Sequence, residues 1–461
     1  MIRTLRLVAA VTLFLWPASA WAHAHLKRSE PAAGSKVASS PQLIRLWFSE
    51  QPELSMTSIS LKDASGKEWV LTGPQRDPTD PLSVSARVSQ SLPAGQYTVE
   101  WRTAASDGHP SRGTFGFVVS TEAALPTKDS ARGGAVTDTL GGGAVVPTAA
   151  ANRENGEEAD AASSLSSSLA RAFSFAGLLT LIGVVAFRAL VLPRARGIDA
   201  DIRARMDSRT AVLGLVASMV VMIGALVRLF LESEMMSAMP GMQTMSMADM
   251  ALHTQWGLAL RLELGAAVVA LVSFAIAARR VRRAWQSAGL SAIVLALTPA
   301  LAGHAAASPR LTSLMIVSDF LHVLGGATWL GSLLAIMVVG VPLCLMLDGV
   351  ARWSSVASLV NSFSPVALAS VTVVIASGLI ASWVHLEHLS ALWQTAYGQV
   401  LLLKLALVAI ALMIGAYNFR QVQPQLMAER GVVRLRRSAV VELGFGFLIL
   451  VATGFLTGIS P

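Results

Sequence analysis

The sequence predicts a molecule in two parts. An all-β sandwich or barrel of about seven short strands comes first, and an α-helical membrane domain of eight transmembrane helices follows. Three observations carry this. Five segments between residues 42 and 119 alternate apolar and polar side chains, as half-buried strands do. Residues 121–168 are mostly Ala, Gly, Ser and Thr with scattered charges, including Gly141-Gly142-Gly143, the composition of a flexible tether. Eight apolar runs then follow, each about 20 residues, the length that crosses a bilayer.

In the β part, residues 23–120, Ile44, Leu46 and Phe48 share one face of the segment 42–48, while Arg45, Trp47 and Ser49 share the other. The segments 57–61, 82–88, 96–102 and 114–119 alternate likewise, and Pro31, Gly34, Gly66, Gly73-Pro74, Pro93-Ala94-Gly95 and Gly108 mark turns between them. Regularly spaced short strands of this kind build sandwiches and barrels.

The eight runs lie near 170–191, 211–231, 256–278, 287–305, 312–345, 365–384, 398–418 and 438–458, in a membrane domain covering residues 169–461. With the β part outside, the inner loops hold fifteen arginines (194, 196, 203, 205, 209, 279, 280, 282, 283, 352, 420, 430, 434, 436 and 437), against Arg310 alone outside. That is the positive-inside pattern of a multi-pass protein of a bacterial inner membrane. The chain is 53% hydrophobic and 14% charged over 461 residues, with a net charge of +8. The excess charge sits in the inner loops, and the β part is nearly balanced, so nucleic acid is excluded as a partner. The single cysteine, Cys344, rules out an intrachain disulfide and a cysteine metal cage. A short echo links Thr254-Gln255-Trp256-Gly257 with Thr395-Ala396-Tyr397-Gly398. It reads either as an internal repeat or as two interfacial aromatic anchors.

Residues 1–22 have the layout of a secretory signal peptide: Arg3 and Arg6, an apolar run from Leu7 to Trp16, and Ala20-Trp21-Ala22. Cleavage there would make His23 the first mature residue, offering a metal its α-amino group and its ring together. Asp107 and His109, two residues apart, project to one face of an extended segment, and Gly108 allows close backbone approach. Amine, imidazoles and carboxylate suit Cu(II). Taken alone, Asp-Gly-His-Pro is ordinary turn chemistry; joined to His23 it reads as a Cu(II) site, with His25 as a weaker candidate ligand.

Between the second and third runs, seven of sixteen residues are methionine: Met235, Met236, Met239, Met242, Met245, Met247 and Met250. Thioethers select Cu(I), whereas Met as adaptable apolar filler is the structural alternative. Within the membrane, His304 ends the fourth run, and Asp319 and His322 stand i,i+3 on one helical face of the fifth. Ionisable groups at that depth line polar routes or bind cofactors. Gly325, Gly326 and Gly331 beside them permit close helix packing. Arg261, Glu263, Lys404 and Glu442 add buried charge that can pair as scaffold.

Several of these motifs carry a family resemblance. His23-Ala24-His25-Leu26, Ser29-Glu30-Pro31-Ala32-Ala33-Gly34, Leu46-Trp47-Phe48-Ser49-Glu50 and Ser106-Asp107-Gly108-His109-Pro110 resemble the periplasmic copper-binding CopC family. Ala302-Gly303-His304-Ala305 and the stretch from Leu321 to Gly331 resemble the CopD copper resistance membrane family. The resemblance implies an Ig/cupredoxin-like β domain with Cu(II) ligands at His23, Asp107 and His109, fused to a membrane partner in copper uptake. Some CopC relatives place a histidine where this chain has Trp47. Some also carry a Met-rich Cu(I) site in the β domain, where this chain has only Met56.

The expectation is therefore a copper acquisition protein without catalytic residues. Its β domain captures Cu(II), swings on its tether and passes copper, by the methionine loop and by His304, Asp319 and His322, across the inner membrane. Its partners are copper ions, the lipid bilayer and a periplasmic copper chaperone. The rival expectations are a membrane redox protein with His304 and His322 as haem ligands, an oxidative enzyme at the terminal-histidine copper site, and a copper sensor or buffer that transports nothing. No nucleotide-binding signature is present to power transport.

Overall fold

A computed structural model describes residues 26–104, 110–120, 153–237, 246–303, 311–385 and 388–459, with backbone alone at 110, 153–164, 236–237 and 385. Nine strands, three of them two residues long, form two sheets facing each other: β1 (Leu26–Glu30), β2 (Lys36–Val37), β3 (Leu43–Phe48), β4 (Ser58–Asp63), β5 (Glu68–Trp69), β6 (Gln75–Arg76), β7 (Ser83–Arg87), β8 (Gly95–Ala104) and β9 (Pro110–Val119). One sheet has the order β1-β3-β7-β6 and the other β2-β9-β8-β4-β5; among the described residues β2 and β9 pair parallel and the other pairs are antiparallel.

Alternation places the core as expected. Ile44, Leu46 and Phe48 of β3 are buried against Leu61, Val84, Tyr97, Val99, Trp101 and Phe117, and the Phe48 and Trp101 rings meet edge-on at 5.2 Å. Trp47 points the other way, with the Arg28 guanidinium 4.3 Å from its ring centre, a cation–π contact. Gly113 is opposite Trp101 in the β8–β9 register. A Cβ there would lie 2.6 Å from the indole, so the ring occupies the space a side chain would need.

Among the described residues, eight helices are long and apolar enough to cross a membrane. They are α1 (Arg153–Ala186), α2 (Ala200–Ser237), α4 (Gln255–Ala278), α5 (Ala284–Ala302), α6 (Thr312–Gly326, continued to Cys344), α7 (Gly349–His385), α8 (Ala396–Tyr417) and α9 (Glu429–Leu456), with a short α3 (Met247–His253) between α2 and α4. Their helical backbone extends well past the apolar runs at several ends. In α1 it reaches back to Arg153, inside the stretch expected to be flexible tether. The acidic residues Glu154, Glu157 and Glu158 near that start suit a helix N-terminus.

The first helix is the hub. It packs on α2, on α9 and on the continuation of α6. At the last contact a Cβ on Gly183 would be 2.2 Å from the carbonyl carbon of Gly331, and one on Gly331 would be 2.1 Å from the Leu179 carbonyl oxygen. Close backbone approach of this kind drives helix association in lipid. A π-helical turn at Ala327–Gly331 sets Gly331 at this crossing. Gly325 also lies tight, against Ser370, whereas Gly326 faces open space.

Of the charges expected inside the membrane, Glu263 forms an ion pair, whereas Glu442 and Arg261 hydrogen-bond to neutral groups; Arg171 and Glu232 add a second ion pair. Arg171 holds Glu232 at 2.8 Å, Arg228 holds Glu263, and Glu442 accepts from Trp329 Nε1 at 3.2 Å and Asn418 Nδ2 at 3.0 Å. Arg261 donates to the Ala251 carbonyl.

Candidate functional site

His23, His25, Asp107, His109, Met239, Met242, Met245 and His304 lie outside the described residues. Among the described residues, no group of three or more His, Cys, Asp or Glu side chains is arranged to hold a metal. The backbone on either side of the expected Cu(II) ligands is nonetheless informative. Leu26 opens β1 opposite Phe48. Ala104 and Pro110 face each other at the end of the β8–β9 ladder, with five residues, Asp107 and His109 among them, in between. The Phe48 ring touches Trp101, and the Glu53 N–H donates to the Ala104 carbonyl at 2.8 Å. The start of β1 and the β8–β9 tip therefore stand at one end of the sandwich.

That end is not free. Met56 and Ala104 of the β domain are buried in one apolar cluster with Ala225 of α2, Met250 of α3, and Trp256 and Leu260 of α4. Met56 is 3% exposed and Met250 1%. A Glu53 carboxylate oxygen accepts the Gln255 N–H at the first turn of α4, 3.3 Å away, where the positive end of a helix favours an anion. This corrects the expectation of a β domain swinging on its tether: the apolar contact and the capped helix end hold it against the membrane domain.

The two described ends of the methionine segment are helical. Met235 and Met236 belong to the end of α2, with Met235 half-buried. Met247 and Met250 belong to α3, whose start is a capping box. The Ser246 Oγ accepts the Asp249 N–H at 3.1 Å, while Asp249 accepts from the Ser246 N–H at 3.1 Å and hydroxyl at 2.7 Å. The Ser246 hydroxyl holds the Asp249 carboxyl below the usual carboxylate range. One helical turn after a fixed start, Met250 faces inward and Met247 outward, 42% exposed.

The echo between the third and seventh spans proves to be a local joint. Thr254 Oγ1 donates to the Met250 carbonyl at 2.6 Å and accepts the Gly257 N–H at 2.8 Å. Thr395 Oγ1 does the same with the Ala391 carbonyl at 2.8 Å and the Gly398 N–H at 3.0 Å. In each, one threonine closes a short helix and caps a long one, and the glycine sits against the short helix's carbonyls. Trp256 and Tyr397 are buried, so they are not the interfacial anchors that one reading expected.

Asp319 and His322 lie on α6 as expected, with the His322 ring beside α7. Its Nδ1 is 3.0 Å from Ser377 Oγ, and the Ser377 hydroxyl proton is directed to the Val373 carbonyl at 2.7 Å. The hydrogen bond between Nδ1 and the Ser377 hydroxyl holds the ring against α7. Orientation through the second nitrogen is how proteins hold ligand histidines. Sequence reasoning missed Glu53, Gln255 and the inward role of Met56. The Ser246-x-x-Asp249 spacing was a readable signal for α3; nothing local marks a contact between residues 202 apart.

A two-sheet β domain seated on a bundle of eight candidate membrane spans defines a multi-span membrane protein with a docked β domain. Residues 26–120 match the CopC domain, 162–311 the copper resistance protein D-like N-terminal domain, and 357–456 copper resistance protein D. The chain belongs to the copper resistance proteins in which a CopC domain is fused to a CopD membrane domain. It is 23% identical over 470 aligned positions to the copper transport protein CutJ of Bacillus subtilis, covering 99% of this chain and 77% of that one. It is 34% identical to protein YobA of Escherichia coli K12, over 25% of this chain and 95% of that one. Among solved structures it is similar to CopC from Methylosinus trichosporium OB3b, with 33% identity, 23% of this chain, all of that chain and a TM-score of 0.21.

Proposed function

We propose that this chain is a copper importer of the bacterial inner membrane, with the CopC domain on the periplasmic side. Cu(II) is held by the His23 amine and ring with Asp107 and His109, and His25 lies nearby. Copper then passes to the methionine segment as Cu(I), and inward past His304, Asp319 and His322. The observation that carries this reading is the seating of the β8–β9 tip and of Glu53 and Met56 on α2, α3 and α4. Ala104, next to the ligand-bearing turn, shares one buried cluster with Met250. A donor site and a thioether acceptor on opposite sides of a closed contact need no excursion of the domain.

The test compares the natural His23 terminus with one extended by an alanine, and either with His304→Ala or His322→Ala. Extension should weaken Cu(II) binding and change its paramagnetic resonance spectrum. The membrane variants should lose cellular copper accumulation and keep the Cu(II) signal. Equal binding by both termini, or full accumulation by both membrane variants, would refute the corresponding half of the reading.

A further inference from the structure

Where α1, α2, α4 and α5 converge in the outer half of the bundle, they enclose a small cavity lined by Ser174, Phe175, Leu178, Arg228, Glu263 and Thr298, among others. It has room for about one water molecule. None of these residues belongs to the proposed copper route.

The polar groups on its wall are set up for a ligand. Arg228 and Glu263 form an ion pair through a terminal guanidinium nitrogen. Among the described residues, Arg228 Nε and Ser174 Oγ are buried and have no hydrogen-bond partner, and Ser174 is only 2% exposed. Thr180, Ser218 and Ser291 turn their hydroxyls onto the carbonyl four residues back in their own helices. Ser174 does not: its Oγ lies over Gly224 of α2, where an added Cβ would collide with it. Thr298 has the opposite arrangement. Pro299 has no N–H to give the Leu295 carbonyl, and Thr298 Oγ1 donates to that carbonyl at 2.9 Å. The Thr298 hydroxyl proton is thereby used, and its lone pairs are left for the cavity.

Two donors, Arg228 Nε–H and the Ser174 hydroxyl, and one acceptor, Thr298 Oγ1, thus surround space for one small polar molecule. A buried donor without a partner is costly at membrane depth, and a water with several polar contacts removes that cost. We propose that one water is bound here, accepting from Arg228 and Ser174 and donating to Thr298, and that the docked β domain is the lid over it. The lid follows from continuity. Ala302, the last residue of α5, lines the cavity and also packs on the cluster of Met56, Ala104, Met250, Trp256 and Leu260. Leu260 stands about one turn outward of Glu263 on the same face of α4. An apolar plug therefore covers the cavity on its outer side, and Met56 and Ala104 in that plug belong to the β domain. Undocking removes both and opens the water to exchange with the outside.

The test uses the full chain in lipid nanodiscs without copper. Pulsed radiolysis turns bound water into hydroxyl radical in place, so Leu178, 3% exposed, should be oxidised in wild type, a result that depends on no variant. Ser174→Ala separates a hydrated cavity from a dry one by sign. It should lower the melting midpoint if the hydroxyl bonds water, and raise it if the hydroxyl is an orphan. After mixing into heavy-oxygen water, the heavy isotope should reach Leu178 several-fold faster in Met56→Asp and in Ala104→Glu than in wild type, while Met56→Leu keeps the wild-type rate. An unoxidised Leu178, or a raised midpoint for Ser174→Ala, would overturn the water. Exchange at the wild-type rate in both charged variants would overturn the lid.

Discussion

A Glu53 carboxylate oxygen lies 3.3 Å from the backbone nitrogen of Gln255, so a side chain of the β domain caps a transmembrane helix 202 residues away. Beside it, Met56 and Met250 are buried in the same cluster. The apolar contact supplies the attraction, and the cap fixes orientation, since it requires the carboxylate at one N–H. Glu53→Ala should cost about 1 kcal/mol, as loss of a helix cap does, and leave the domains associated. Met56→Asp puts a charge into the cluster and should release the β domain. Met56→Cys with Met250→Cys, in a Cys344→Ser background, reports the outcome: a bifunctional thiol reagent should join the pair, and its failure to do so would argue against the docked arrangement.

The Gly183–Gly331 crossing makes a second contrast. A Cβ on Gly331 would meet the Leu179 carbonyl oxygen at 2.1 Å, whereas one on Gly326, five residues earlier, meets nothing within 4 Å. Gly331→Ala must push α1 away and should destabilise the bundle by about 1–3 kcal/mol or more. Gly326→Ala should be neutral or stabilise by up to about 1 kcal/mol through helix propensity. Thermal unfolding in detergent measures both, and equal melting points for the two variants would contradict this crossing.

Which features were legible follows from how local their causes are. The strand carrying Ile44, Leu46 and Phe48 was readable because a buried face every second residue leaves its mark in six letters. The spans were readable because lipid demands length and apolarity regardless of partner. Gly331 was readable as a small residue, but not Gly183 as its counterpart, because helix pairing is written in no single segment. The burial of Met56 and Met250 in one cluster was hidden for the same reason, and because methionine reads equally as ligand or filler. The joint at Thr254 was visible as an echo of Thr395, but its meaning lay in carbonyls of the preceding helices.

In the β domain, Asp63 anchors the turn between β4 and β5. Its Oδ1 accepts the Ser65 hydroxyl and N–H at 2.5 and 2.9 Å and the Lys67 N–H at 3.1 Å, and its Oδ2 accepts Trp69 Nε1 at 3.1 Å. The Ser65 hydroxyl, ahead of the other donors, holds the carboxyl below its usual value. A depressed carboxyl stabilises the folded state at neutral pH, and that contribution fades as pH falls below about 4 and through the lowered value. Asp63→Asn should therefore lower the β-domain melting transition at pH 7 and bring it closer to wild type near pH 2. A difference that stays constant across this range would show that the turn does not depend on the ionised carboxylate.

The contact of Glu442 with Trp329 and Asn418 lets shape be separated from charge. Trp329 Nε1 and Asn418 Nδ2 both donate to the carboxylate, and the Asn418 Oδ1 is buried without a partner. Glu442→Ala strands two donors in the membrane interior and should cost about 1–3 kcal/mol or more. In Glu442→Gln the new carbonyl can still accept from Trp329, while the new NH2 would oppose Asn418 Nδ2. Rotating the Asn418 amide resolves that conflict, because it turns the partnerless Oδ1 toward the glutamine. Glu442→Gln should then lie within about 1 kcal/mol of wild type, and Asn418→Leu, which cannot rotate into place, should make the same Glu442→Gln change costly. Melting midpoints of the single and double variants measure the coupling. If Glu442→Gln alone destabilises as much as Glu442→Ala, the negative charge itself is required, and the contact is more than a scaffold.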